Sequence, residues 1–222
     1  VDVRVWATGG VPIFSDLNEA SERDLRRAEI ISLPLVLGGL VIVFGGLIAA
    51  GVPVAMGVVS LPVALAALFF LAQVTDVSIF ALNIASFLGL GVAVDYSLLV
   101  VSRFREELEF RPKDQAVAHA VAKAGRTLVF SSITSILGLS GLLLFKLMML
   151  RSIGLGGMVV IAMSLLVALT LLPAILSLLG SKVNSLSIFP RNKGAVSMWG
   201  KLGFWVMDHP ILVTVPLLAF LI

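Results

Sequence analysis

Five stretches of this chain are long, apolar and nearly free of charge: Ile30–Ala50, Pro53–Ala72, Ile79–Ser102, Thr127–Phe145 and Ile153–Leu179. A bilayer core takes about 20 apolar residues of α-helix. Each run is long enough to cross once, and a sixth begins at Pro210 and ends with the chain at Ile222. Pro34 and Pro62 interrupt two of the runs, which membrane helices tolerate because neighbouring groups satisfy the freed backbone. Composition agrees: 59% of the 222 residues are hydrophobic and 13% charged, where a soluble domain carries about a quarter charged. The pattern predicts an all-α polytopic membrane protein.

The polar segments divide the rest. Val1 to Trp6 alternates apolar and polar like a strand, "ATGG" turns, and Asp16 to Glu29 is charge-rich with good helix formers. Residues 1–29 therefore read as the end of an extracytoplasmic α/β domain and a linker helix, 30–180 as a five-helix bundle, 181–209 as a cytoplasmic connection and 210–222 as the start of the next membrane helix. The chain starts without Met and stops inside an apolar run, so the expectation is a fragment.

Lys and Arg in short loops set orientation. Arg103, Arg105, Arg111, Lys113, Lys123 and Arg126 cluster in one connection, and Lys182, Arg191, Lys193 and Lys201 in another. Both are expected on the cytoplasmic side. The net charge of +3 reads as this orientation signal, with no nucleic-acid partner. Pro112 is expected to start a short helix whose Ala116, Val117, Ala120, Val121 and Ala124 form a mild apolar face lying along the inner membrane surface.

One acid lies inside an apolar run. Asp95 precedes Arg103 by eight residues, roughly 12 Å of helix, which puts it in hydrocarbon on the cytoplasmic side of the midplane. An ionised Asp there costs about 2.5–3.5 kcal/mol, so the site favours the neutral acid and can hold a proton part-way across the membrane. The plainer reading is a structural polar residue bonded to a neighbouring helix. Leu88, Gly91, Val92, Leu98 and Ser102 share the Asp95 face at helical spacing, and Gly89 and Gly91 let another helix come close. Tyr96 can donate to a carboxylate or relay through water. Thr127, Ser131, Thr134, Ser135 and Gly138 form a small, polar stripe on the fourth run, expected to face Asp95 with Ser131 nearest, or to serve close helix packing. Asn83 and Ser86 read as packing residues, Asp76 as interfacial, His119 as a surface residue and His209 as a helix-start position. Cysteine is absent. No phosphate loop, metal-ligand pair or nucleophile triad is present, so the chain is not read as an enzyme and implies no cofactor. "GLGVAV" sits inside a membrane helix without a preceding soluble strand and is not a nucleotide fingerprint.

The segments "FLGLGVAVDYSLLVVSRFREEL", "AVAHAVAKAGRTLVFSSITS", "SIGLGGMVVIAMSLLVALTLLPAILSLLG" and "DLRRAEIISLPLVLGGLVIVFGGL" resemble, in turn, the fourth helix, the segment after it, the sixth helix and the second helix of the MmpL (mycobacterial membrane protein large) branch of the RND transporter superfamily. The resemblance spans nearly the whole chain. It implies an RND-type bundle of helices two to six, plus the start of the seventh, from a protein of two related halves in the bacterial inner (plasma) membrane. It implies export of lipids or other amphiphiles driven by the proton-motive force, with membrane lipids, an amphiphilic cargo and the second half of the same transporter as partners. Asp95 and Tyr96 match the family's first Asp-Tyr proton pair, whose counterpart lies in the second half. Ser131 matches a serine near the acid, and Leu88 and Val92 match positions lining the central pocket, beside which Ser135 is placed. The same helices resemble sterol-sensing domains, so a lipid sensor or scaffold is the competing reading, and multidrug efflux a variant of the first.

Overall fold

The computed structural model describes residues 23, 27, 30–186 and 204–210. The strand expected at Val1–Trp6, most of the linker helix, the greater part of the 181–209 connection and the run after Pro210 lie outside the described residues. Among the described residues the chain is helical. Helix α1 covers Ile30–Phe44, α2 Leu47–Ala72, α3 Phe80–Glu107, α4 Lys113–Ser140 and α5 Met148–Leu179. Short 3-10 turns follow α4 at Gly141–Leu144 and α5 at Gly180–Asn184. Helices α2 to α5 are each long and apolar enough to cross a membrane. Contacts divide the chain into Val1–Phe189 and Pro190–Ile222. In the second unit a helical turn at 204–208 carries a Trp205 ring stacked on His209, with centroids 5.5 Å apart.

Helix α3 is the centre of the first unit and packs against α2, α4 and α5. Its buried side chains Val100, Val101 and Phe104 meet Met56 of α2, Leu128 of α4 and Leu172 and Leu176 of α5 in one core. A smaller cluster of Ala64, Leu68, Ala85 and Val160 continues the packing toward the other end. Small residues allow the helices to approach closely, as membrane bundles require. A Cβ on Gly156 of α5 would stand 2.9 Å from the Ala81 carbonyl oxygen of α3. Deeper in the bundle, the buried hydroxyls of Ser60 on α2 and Ser164 on α5 are 3.1 Å apart and hydrogen-bonded.

The fold corrects two boundaries. The break expected between Ala50 and Pro53 lies instead at Gly45–Gly46, and Gly51 and buried Pro53 belong to α2. Gly45 has φ 66° and Gly46 is extended. Glycine takes positive φ without the Cβ clash that other residues suffer, so the break falls where two glycines adjoin. The second correction concerns α4. Pro112 does precede a helix start, but that helix continues through Arg126 into the hydrocarbon run as one 28-residue rod. Ala116, Ala120, Ala124, Leu128 and Ser132 are all buried along it. The i, i+4 face read as membrane-surface lies against the bundle. Buried Glu107 at the end of α3 fixes this rod, accepting from Lys123 Nζ of α4 at 2.7 Å and from Arg111 Nε at 2.9 Å.

Candidate proton-coupling site

Asp95 is the sixteenth residue of the 28 in α3, and so lies near the middle of the helix. It is exposed and opens on a groove of ≈ 290 Å³ between α1 and α3. Val36, Gly39 and Leu40 form the α1 wall, and Gly91, Val94 and Leu98 flank Asp95 on α3. Two glycines in its walls leave space: a Cβ at Gly39 or Gly91 would meet nothing within 4 Å. Gly89, two residues from Gly91, is already packed against Leu61 and Val160. Of the two glycines expected to admit another helix, Gly91 is the one left open.

Tyr96, the chain's single tyrosine, points elsewhere. Successive residues of a helix are turned by about 100°, so Asp95 and Tyr96 serve different neighbours. The Tyr96 ring is buried, and its hydroxyl lies 2.6 Å from Ser132 Oγ of α4, itself fully buried. Either hydroxyl can donate. The next residue, Ser97, donates to the Ala93 carbonyl at 2.6 Å and is satisfied within its own helix. The pair therefore presents a carboxyl to an open groove and a phenol to a closed, hydrogen-bonded interface.

The α4 hydroxyl bonded to Tyr96 is Ser132, the neighbour of Ser131, which was expected beside Asp95. Ser131, Thr134 and Ser135 are exposed on α4, with Thr134 donating to the Phe130 carbonyl of its own helix. Leu88 and Val92 are half-buried, Leu88 against the smaller cluster and Val92 against the main core. The signal for Ser132 was present in the sequence: the apolar i+4 series from Ala116 to Ala124, carried on past Arg126, passes through Leu128 and reaches Ser132. A helix that ended at the membrane surface would stop the series short of it. Among the described residues no group of three or more His, Asp and Glu is placed to hold a metal ion.

With this geometry in view, the relatives are informative. The sequence profile of the MMPL family matches residues 1–213. A membrane protein of Streptomyces coelicolor, SCO6666, is 44% identical over 191 residues, covering 86% of this chain and 27% of that protein. The trehalose monomycolate exporter MmpL3 of Mycobacterium tuberculosis is 34% identical over an alignment covering 98% of this chain and 26% of the exporter. The heme uptake protein MmpL11 of the same species is 34% identical over 94% of this chain and 22% of its own length. The chain thus spans about a quarter of the length of these curated relatives. Its apolar helices make it part of a multi-pass membrane protein. The family match over residues 1–213, a span that includes the helices of the Asp95 groove and the Tyr96 interface, makes this chain a member of the MMPL family.

Proposed function

We propose that this chain is the proton-coupling bundle of a secondary transporter that moves lipids or other amphiphiles across the membrane, and that Asp95 is its protonation switch. The single observation that carries the reading is the carboxyl of Asp95 standing on an open, otherwise apolar groove at the middle of a membrane-spanning helix. Neutral, such a group fits an apolar wall. Ionised, it requires hydrogen bonds or a cation, and the surrounding helices must rearrange to supply them. A proton crossing 100 mV releases about 2.3 kcal/mol, which this rearrangement can convert into motion of the cargo pathway. The open side of Asp95 and the unfilled space at Gly91 are where the second half of the transporter packs in this reading, bringing its own Asp-Tyr pair. Tyr96 and Ser132 hold the far side of α3, and Ser131 extends the hydroxyl path on α4. Leu88, Val92 and Ser135 line the pocket shared with the second half.

Two of the relatives are a trehalose monomycolate exporter and a heme uptake protein, which supports an amphiphilic substrate class. The test is Asp95→Asn in the intact protein, reconstituted with an imposed proton gradient. Asn keeps the shape but does not titrate. Loss of proton-driven transport by about tenfold or more, with membrane insertion unchanged, is expected for a residue whose function is its ionisation. A normal transport rate would exclude Asp95 as the switch, whereas an unaltered protein that binds lipid and shows no proton-driven transport would leave the lipid-sensor reading in its place.

A further inference from the structure

The basic end of the bundle carries a second set of polar contacts. Arg105 follows Asp95 by ten residues on α3, about 15 Å along the helix. Its guanidinium donates in two directions: Nη1 to the Phe44 carbonyl at 2.8 Å, and Nε to Asn184 Oδ1 at 2.7 Å. The same group lies over the Phe44 ring, 5.5 Å from its centroid. Phe44 ends α1, and its carbonyl is among those that a helix end leaves without an intrahelical partner. Gly45, with φ 66°, comes next and begins the break. Asn184 closes the turn that follows α5. Close by, the Leu47 amide at the start of α2 donates to the Leu186 carbonyl at 3.3 Å.

One side chain of the Asp95 helix thus holds the end of α1, at its glycine break, and the exit of α5. Helix α1 is also the far wall of the Asp95 groove. That wall is loosely filled at Gly39, which has open space at its Cβ position. The apolar contacts of Leu40 and Phe44 hold α1 to the core without a fixed direction, since burial is not directional. The planar guanidinium fork supplies direction, because its donors sit at fixed angles to one another.

We propose that Arg105 is a positioning residue: it ties the α1–α2 break and the end of α5 to α3, and so sets the width of the groove into which Asp95 opens. Its meaning for transport rests on the Asp95 reading above, but its test does not use transport. The neighbouring Glu107 contacts run from α3 to α4 rather than to α1, which makes Glu107 an internal control.

The experiment measures disulfide cross-linking in membranes of the intact protein, with any native cysteines outside this chain replaced by Ser. The reporting pair is Leu40→Cys with Leu98→Cys, both lining the groove. The control pair is Ser60→Cys with Ser164→Cys, whose hydroxyls lie 3.1 Å apart between α2 and α5. Arg105→Gln is expected to slow the reporting pair by about threefold or more, in the range such coupling residues show. Arg105→Lys, which retains one donor for the carbonyl, is expected to give an intermediate rate. Glu107→Gln should leave the rate unchanged, and the control pair should react alike in every variant. An unchanged rate in Arg105→Gln overturns the proposal. So does an equal slowing by Glu107→Gln, which would mean general loosening of the α3 end, or a fall in the control pair with Arg105→Gln, which would make Arg105 a support of the whole fold.

Discussion

The hydroxyls of Tyr96 and Ser132, 2.6 Å apart, join α3 to α4 in a buried bond, while Asp95, one residue before Tyr96, faces an open groove beside α1. The two members of the pair are therefore separable by experiment. One is fixed by packing and the other is free to change its surroundings.

Removing either hydroxyl leaves the other without its partner in a dry interface. Between membrane helices such a bond contributes about 0.6 kcal/mol on average and up to about 1.7. A cycle of Tyr96→Phe, Ser132→Ala and the double variant, read by reversible unfolding in detergent, should return a coupling energy in that range. A coupling of zero would mean that the contact carries no stability and that Tyr96 is held by its ring alone.

Ser131 and Ser132 should divide stability from activity. Ser131 is exposed on α4, so Ser131→Ala should shift stability by less than about 0.5 kcal/mol yet, under the proposed function, slow proton-driven transport by the intact protein. Ser132→Ala should lower both. A Ser131→Ala protein that transports at the normal rate would remove that residue from the hydroxyl path.

The close approach of α5 to α3 gives a packing prediction. A Cβ at Gly156 would stand 2.9 Å from the Ala81 carbonyl oxygen and 3.1 Å from its Cα, backbone atoms that no rotamer change can move aside. Gly156→Ala should destabilise by about 1–3 kcal/mol, the usual cost of overpacking. Gly89→Ala is the comparison, because its nearest neighbours are side-chain atoms at 3.5 Å, and it should be tolerated. Equal melting temperatures for the two variants would show that α5 slides freely past α3.

At the basic end the order of two variants is informative. The Glu107 side chain is 10% exposed, whereas Lys123 is 61% exposed and Arg111 40%. Glu107→Gln releases two cations that already reach water. Lys123→Ala with Arg111→Ala strands the carboxylate in the interface, the costlier arrangement. The double variant should therefore melt lower than Glu107→Gln, and the reverse order would show that the cations, not the acid, carry the burial cost.

Much of this arrangement is legible in the sequence. The hydropathy runs located α3 and α5 closely because length and apolarity alone define a membrane span, and the lone acid marked Asp95 because a carboxyl in such a run has so few reasons to be there. Hydropathy is blind to backbone conformation, so the break at Gly45–Gly46 was assigned instead to the weaker interruption at Gly51 and Pro53. It also sets a boundary at Arg126 that α4 does not have. A long basic side chain lets its stem lie along apolar surface while its head reaches water, so it need not end a helix. The Ser132 contact was lost with that boundary, since nothing in the residue types distinguishes Ser131 from Ser132 until the packing face is known.

The unbroken course of α4 has a mechanical consequence. Its 28 residues make a rod about 42 Å long, against a hydrocarbon thickness of about 30 Å. The excess, about two turns of helix, is continuous with the part that touches Tyr96 and is gripped by Glu107 through Lys123. A rod without a joint at the membrane surface behaves as a lever. A displacement imposed on the projecting end is therefore expected to reach the Ser132 level through continuous helix, as a change in the spacing of Ser132 from Tyr96. The Ser132 level and the projecting turns are thus parts of one continuous helix.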